Sequence, residues 1–220
     1  MRTKQDALFQ QGLYSLGVTT ERASFFHLLS LPFIGHPEVL KDCLLTYLNR
    51  EPHYAYQPII GAGLTFDFHY ESQEVSIQRL EETWILPLSL FIQFLRLVDL
   101  VYGVIYPIGT VVELDRNLLS SDLVARFEQA GVDMLVSLVG RRVHMKASGV
   151  YVDYVGYMQP YGLTYDQEPL FISHLFIKRV LSEGYRGATD DAYCFEELRQ
   201  SYLEMGIYSG LYEEGVSYEN

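Results

Sequence analysis

The chain has 220 residues, 49% of them hydrophobic and 14% aromatic, which excludes a disordered chain and allows one large or two small folded domains. Its 28 acidic residues outnumber 16 basic residues, and the resulting net charge of -12 argues against nucleic acid or an anionic membrane surface as a partner. The first residues, Met1–Asp6, are followed by no apolar signal segment, so we expect a cytoplasmic protein.

The first half of the chain is predicted to be mostly helical. Capping residues indicate three helices, of which the second begins at Thr20 and should end before Pro32, and the third begins at Pro37. Strict alternation of apolar and polar residues over Leu64–Tyr70 predicts a strand. Residues 1–105 are therefore expected to be a mostly helical region with one strand.

An apolar segment between residues 84 and 106 could be mistaken for a membrane span. It contains Pro87, Arg96 and Asp99, and each charge inside a span costs roughly 2.5 to 3.5 kcal/mol on insertion scales. A soluble helix that is apolar around most of its circumference explains the segment better than a span does.

Such a helix has two interpretations, because it can form the centre of a domain or a surface that another chain covers. Under the second interpretation, the residues that contact the partner are Leu90, Phe91, Phe94 and Leu97. Both interpretations remain open from the sequence.

The second half of the chain changes to the period of β-strands. Strands are predicted at Val111–Leu114, at Met134–Lys146 with a bulge at Gly140, at Val150–Tyr157 and at Phe176–Leu181, and a closing helix at Asp190–Met205. The fold class is thus α+β. Its helical N-terminal part precedes a small antiparallel β-sheet or open barrel with packed helices over residues 106–205. Residues 206–220 form an acidic, tyrosine-rich tail.

No sequence motif specifies a reaction centre. Asp67 and His69 share one face of the predicted strand and could join His53 in a metal site, but a site needs three or four converging ligands, so an ordinary exposed strand face is the better interpretation. Cys194 with His174 could act as a thiol and a base, although a free cysteine at the start of a helix is far more often a packing residue. We expect no catalytic residue, cofactor or metal.

Short motifs in the second half occur in a fixed order. They are Pro107–Val112, Gly140–Arg141, Asp153–Gly156 followed by Pro160 and Gly162, Phe171 with His174, and Gly184–Tyr185. In this order they resemble a bacterial family of unknown function whose genes lie beside those of LXG polymorphic toxins and of type VIIb secretion in Gram-positive bacteria. The sequence departs from that pattern by an insertion around Asn117–Gly131, by Val152 in place of a tyrosine, and by Ile172–Ser173 before the histidine.

The resemblance implies a non-catalytic accessory or chaperone-like protein that binds an LXG-type toxin, or the helical targeting partners of the toxin, before secretion. One alternative is a cognate immunity protein that neutralises a toxin domain. An enzyme with an unrecognised site is a third possibility. The resemblance covers only the second half, and the sequence of residues 1–105 resembles no family.

Overall fold

The computed structural model describes residues 2–165 and 167–213, and the chain divides into two units between Gly103 and Val104. Each unit has its own antiparallel sheet and its own helices. Unit 1 denotes the residues up to Gly103, and unit 2 denotes the residues from Val104 onward.

Unit 1 consists of three helices, a four-stranded sheet and a final helix. These elements are α1 (Arg2–Ser15), α2 (Thr20–Gly35), α3 (Pro37–Leu48), β1 (His53–Tyr56), β2 (Leu64–His69), β3 (Glu74–Arg79), β4 (Glu82–Pro87) and α4 (Leu88–Tyr102). The sheet has the order β1-β2-β3-β4, so each strand pairs with the next one in the chain. Its inner face carries the buried residues Leu64, Phe66, Phe68, Val75, Ile77 and Leu86.

Helix α4 lies at the centre of the core of unit 1. The ring of Phe94 is within 6.3 Å, between centroids, of the rings of Phe9 on α1, Phe26 and Phe33 on α2, and Phe91 on α4 itself. Aromatic pairs at this separation add specific edge-to-face attraction to the burial of apolar surface. The apolar circumference of α4 is therefore matched by neighbours within the same unit.

Two features of unit 1 differ from the sequence prediction. Helix α2 does not end before Pro32 but continues to Gly35, and the amide of His36 donates a hydrogen bond to the carbonyl oxygen of Pro32. The unit also has four strands where one was predicted. Strand β4 was hidden because Trp84–Leu86 runs into the apolar sequence of α4 without a break, so its alternation could not be recognised.

Unit 2 is built on a five-stranded antiparallel sheet. Its elements are β5 (Val111–Leu114), α5 (Ser121–Ala130), β6 (Leu135–Met145), β7 (Val150–Met158), β8 (Leu170–Ile172), β9 (Ile177–Ser182), α6 (Ala188–Phe195), a π-helical turn (Glu196–Ser201) and α7 (Tyr202–Met205). The order across the sheet is β8-β7-β6-β5-β9. The predicted hairpin of β6 and β7 is present, and its register shifts between Leu138 and Gly140, where the bulge was predicted.

The end of the described chain packs against strand β7. The amide of Tyr151 donates a hydrogen bond to the carbonyl oxygen of Tyr208, and Tyr151 forms an isolated parallel bridge with Ser209. Of the tail predicted at residues 206–220, the part up to Glu213 is described, whereas Glu214 and Tyr218 lie outside the described residues.

The predicted α+β class is confirmed, with antiparallel sheets that stay open in the parts of the chain that are described. None of the helices in residues 2–165 and 167–213 is long and apolar enough to cross a membrane.

The central position of Phe94 leads to a prediction about stability. Phe94→Ala should lower the free energy of unfolding by about 3 to 5 kcal/mol, because it removes a large buried side chain and leaves a cavity. Urea denaturation measures this loss. The control is Ile85→Ala, since Ile85 is 59% exposed and its replacement should change stability by less than about 0.5 kcal/mol. A loss below about 1 kcal/mol for Phe94→Ala would contradict the core assignment of α4.

Candidate functional site

Helix α2 is apolar on two opposite sides. Its inner side, with Phe26, Leu29 and Phe33, is buried in the core of unit 1. Its outer side carries Leu28 and Leu31, which lie about half a turn away from the inner residues at 3.6 residues per turn, and Leu31 is 54% exposed. A helix with apolar residues all round is usually enclosed on every side. In the described residues, however, Leu28 and Leu31 on the outer side of α2 remain exposed.

A groove runs along this outer side, and we call it the α2 groove. Helix α2 contributes Phe25, Leu28, Leu31 and Pro32 to its lining, and the facing segments contribute Tyr56, Ile60 and Trp84. The groove has a cavity volume of about 250 Å³. The rings of Phe25 and Trp84, 4.7 Å apart between centroids, connect α2 to β4 within this lining.

The loop between β1 and β2 adds the most exposed apolar side chains of unit 1 to the groove. Ile59 is fully exposed and Ile60 is 90% exposed, and Ile60 lines the groove itself. Leu28, Leu31 and Ile60 thus line the same groove with exposed aliphatic side chains. Exposed apolar side chains around a groove are typical of a site that contacts another molecule.

Two basic side chains stand at the lining of the α2 groove. The imidazole Nδ1 of His36 is 3.3 Å from a carboxylate oxygen of Glu38, so His36 has an acidic neighbour. Arg79, at the end of β3, is half-buried, and no carboxylate of the described residues lies within ion-pair distance of its guanidinium. Glu82 stands opposite Arg79 in the β3–β4 hairpin without forming an ion pair.

The residues predicted as a partner-binding surface lie elsewhere. Phe91, Phe94 and Leu97 have no exposed surface, and Leu90 is half-buried. The rings of Phe91 and Phe94 contact aromatic rings of the same unit, as described above. This placement agrees with the buried-helix interpretation of α4 and leaves Phe91, Phe94 and Leu97 without surface for a partner of the folded unit.

The residues considered for a metal site are near one another but do not converge. Nδ1 of His53 is 2.7 Å from Oδ1 of Asp67, its direct neighbour across β1 and β2, whereas Nε2 of His69 is 3.1 Å from Oγ of Ser76. His53, Asp67 and His69 do not form a group of three ligand atoms within 4.8 Å of one another in the described chain. The pair on the open face of the sheet is an exposed hydrogen bond, with both side chains about half exposed.

Unit 2 contains a buried carboxylate that organises three segments. Asp153 on β7 accepts hydrogen bonds from the hydroxyl of Ser173 (3.2 Å), from the amide and Nδ1 of His174 (2.9 and 2.8 Å) and from the hydroxyl of Ser209 (2.7 Å). The side chain of Asp153 is 6% exposed. It therefore joins β7 to the turn after β8 and to the segment that follows α7.

The hydrogen bonds of Asp153 decide its charge. Burial alone would raise the pKa of the Asp153 carboxyl, but the imidazole of His174 and the hydrogen bonds from His174 and Ser209 outweigh burial and hold the pKa below its usual value. Asp153 is thus an ionised acceptor with donors on both oxygens. Such a fully bonded carboxylate positions backbone, and its stable charge makes it a poor proton donor near neutral pH.

The two arginines after the β6 bulge hold the C-terminal helices. Arg141 makes a bidentate pair with Asp190 on α6, and this guanidinium holds the pKa of Asp190 below its usual value. Arg142 is buried and donates a hydrogen bond to the carbonyl oxygen of Leu198, and its own carbonyl oxygen accepts one from the hydroxyl of Tyr202. The Gly140–Arg141 motif therefore fastens the helical layer to the sheet of unit 2.

Another motif residue is required by close packing. A Cβ atom on Gly184 would lie 2.1 Å from the carbonyl oxygen of Ile108, and the amide of Gly184 donates a hydrogen bond to the hydroxyl of Thr110 at 3.0 Å. Only glycine permits this approach of two backbones.

Burial raises the pKa of the Cys194 thiol, which opposes the alternative of a nucleophilic thiol.

The sequence contains a signal for the α2 groove. Phe25, Leu28 and Leu31 recur at a spacing of three residues, whereas Phe26, Leu29 and Phe33 lie on the opposite side of the helix. The apolar run of α4 is longer and is the stronger signal in the sequence. The distinction between the two helices depends on tertiary packing, since α4 is enclosed by α1, α2 and the sheet, whereas α2 is covered on one side only.

Comparison with known proteins assigns part of the chain to a family. Residues 105–193, less than half of the chain, match the profile of the family described as "Domain of unknown function (DUF4176)". The match lies within unit 2 and is consistent with the expected domain of unknown function. No curated protein and no solved structure matches the chain.

The role of Asp153 can be tested by an isosteric change. Asp153→Asn should lower the free energy of unfolding by about 3 kcal/mol at pH 7, because an amide nitrogen would face buried donors that now bond a carboxylate oxygen. The control is Asp133→Asn on an exposed residue, which should change stability by less than about 0.5 kcal/mol. Denaturation profiles of unit 2 that coincide for wild type and Asp153→Asn would refute the assigned role.

The lowered pKa adds a pH dependence to this test. The stabilisation by Asp153 is fully present above the pKa of the unfolded state, about 3.9, and is lost as the pH falls through the lower pKa of the folded state. The difference between wild type and Asp153→Asn should therefore begin to shrink below about pH 4. A difference that keeps growing as the pH falls below about 4 would show that the sign is wrong.

Proposed function

We propose that this protein is a non-catalytic accessory protein that binds an LXG-type toxin, or a targeting partner of the toxin, before type VIIb secretion. The α2 groove carries the proposal, because it is an apolar depression lined by exposed aliphatic side chains. The toxin and its secretion route come from the family resemblance of unit 2, for which the DUF4176 match gives the domain but no activity.

The energy for binding would come from the aliphatic side chains around the groove. Burying one leucine or isoleucine side chain contributes about 1.5 to 3 kcal/mol before the costs of association. Leu31, Ile59 and Ile60 together could supply several kcal/mol, which is enough for a specific complex once ordering costs are deducted. The loop of Ile59 and Ile60 lies opposite α2, so a client segment in the groove would contact both walls.

The arrangement of charges suits recruitment followed by release. A net charge of -12 attracts basic regions of a client at long range and accelerates encounter, while salt weakens that attraction beyond roughly 8 Å at physiological ionic strength. Short-range contact in the groove then determines which segment binds. A binding protein of this kind needs no reactive group, and its affinity can stay moderate so that the client is handed on.

The immunity alternative uses the same groove but another region of the toxin. An accessory protein should bind the targeting region of the LXG protein or its helical partners, whereas an immunity protein should bind the toxic C-terminal domain. The two regions can be expressed separately and compared as ligands. Deletion of the gene gives an independent readout, since loss of export with continued resistance identifies the accessory role.

Exposed groove residues allow a test that leaves the fold intact. With the proposed client, an LXG protein, as the ligand, Leu31→Glu and Ile60→Glu should weaken binding at least about tenfold, because each places a charge in an apolar contact. Isothermal titration calorimetry measures the affinity. The control is Ile85→Glu, since Ile85 lies outside the groove lining and is 59% exposed, close to the 54% of Leu31, and the affinity of this variant should be unchanged.

Two outcomes would contradict the proposal. One is separate elution of the two purified proteins in size-exclusion chromatography at micromolar concentration. The other is a complex in which Leu31→Glu and Ile60→Glu bind as tightly as wild type, with thermal unfolding unchanged in all variants.

A further inference from the structure

We infer that the α2 groove recognises an apolar peptide segment that carries an acidic side chain, and that Arg79 pairs with this carboxylate. The inference rests on the proposed function and adds the chemistry of the bound segment. It follows from the position of Arg79, a cation that lies in the apolar lining of the groove and has no ionic partner among the described residues.

Arg79 combines two features, a place in the lining of the α2 groove and the absence of an ionic partner among the described residues. Arg116, Arg141 and Arg186, in contrast, each have a carboxylate within 4.0 Å. Arg79 is half-buried among the groove residues and makes neither an ion pair nor an aromatic contact with the described residues. A guanidinium withdrawn from part of its water gains more from a carboxylate than one in free solution does.

The neighbourhood of Arg79 explains why its partner should come from another molecule. Leu80, which follows it, has a positive φ of 55° and turns the chain at once into β4, so that Glu82 lies opposite Arg79. Despite this cross-strand register, the side chains of Arg79 and Glu82 do not pair. The guanidinium, which also lines the groove, therefore remains available to a bound ligand.

The size of the groove favours a peptide over a larger cofactor. A cavity of about 250 Å³ lies below the range of roughly 300 to 1,000 Å³ that encloses drug-sized ligands. It can instead take a few anchoring side chains, as grooves that bind helical or extended segments do. The exposed Leu31 and Ile60 then cover the parts of the segment that remain outside the cavity.

The net charge of the protein does not oppose a local acidic contact. Repulsion from the other carboxylates is screened beyond roughly 8 Å at physiological ionic strength, whereas a direct pair with Arg79 is made at about 3 Å. The client can thus be basic overall and still present one carboxylate in its apolar segment. This requirement adds selectivity, because an apolar segment without the acid would leave Arg79 desolvated and unpaired.

The test compares Arg79 variants by calorimetry against the proposed client, an LXG protein. Arg79→Gln should weaken binding about tenfold to a hundredfold, the range for a charge-assisted hydrogen bond, and should reduce the salt dependence of the affinity. Arg79→Lys should retain part of the affinity because it keeps the charge without the planar fork. The matched control is Glu82→Gln in the same hairpin, which should not weaken binding.

Charge reversal identifies the partner group. Arg79→Glu should abolish detectable binding, and one Asp→Lys or Glu→Lys change within the bound segment of the LXG protein should restore it. No such rescue should occur for Leu31→Glu, whose defect is in the apolar contact. If no acidic position of the client rescues Arg79→Glu, the carboxylate assignment is wrong.

The outcomes separate this inference from the function on which it rests. If Leu31→Glu abolishes binding while Arg79→Gln and Arg79→Glu bind as wild type does, the groove is a client site but the acidic contact is refuted. If neither the wild-type protein nor any variant forms a complex, both the proposed function and the acidic contact are refuted. Dodecanoate supplies the same chemistry without a peptide, and binding of dodecanoate that depends on Arg79 and displaces the LXG protein would overturn the peptide assignment.

Discussion

The packing of Phe94 on α4 against rings from α1 and α2 is the constraint on which the arrangement of unit 1 depends. It places α4 in the core and fixes the side of α2 that faces inward. Because residues on a helix cannot all face one way, the inward orientation of Phe26 and Phe33 turns Leu28 and Leu31 outward. The α2 groove is therefore a consequence of how the core is built, and its apolar outer side is unusual for an unpartnered surface.

In unit 2, polar groups determine how the segments are held together. Asp153 gathers hydrogen bonds from the turn after β8 and from Ser209, and Arg141 connects the β6 bulge to α6. Gly184 is required by backbone contact with Ile108. These residues belong to the motifs by which the second half resembles a family of unknown function, and each has a structural role within unit 2. A structural role accounts for these motif residues, and the functional proposal therefore rests on unit 1.

Much of the fold could be predicted from local patterns, such as Pro37 at the start of α3, alternation in Leu64–His69 and the bulge at Gly140. Strand β4 could not, because Trp84–Leu86 merges with an apolar helix and periodicity over three residues is ambiguous. The sequence also predicted a partner surface on α4. An apolar circumference shows that a helix needs neighbours, but only tertiary structure shows whether the chain itself supplies them. Arg79 could not be recognised from sequence at all, since its lack of a partner is a property of the folded hairpin.

Hydrogen–deuterium exchange of this protein with and without the proposed client, an LXG protein, tests most directly whether the α2 groove is the client site. The account predicts added protection over residues 25–36, 56–64 and 79–84, the segments that contribute the groove lining, and unchanged exchange in the strands of unit 2. Protection that appears on the open face around Asp67 and Ser76 or in unit 2, with the groove segments unchanged, would contradict it.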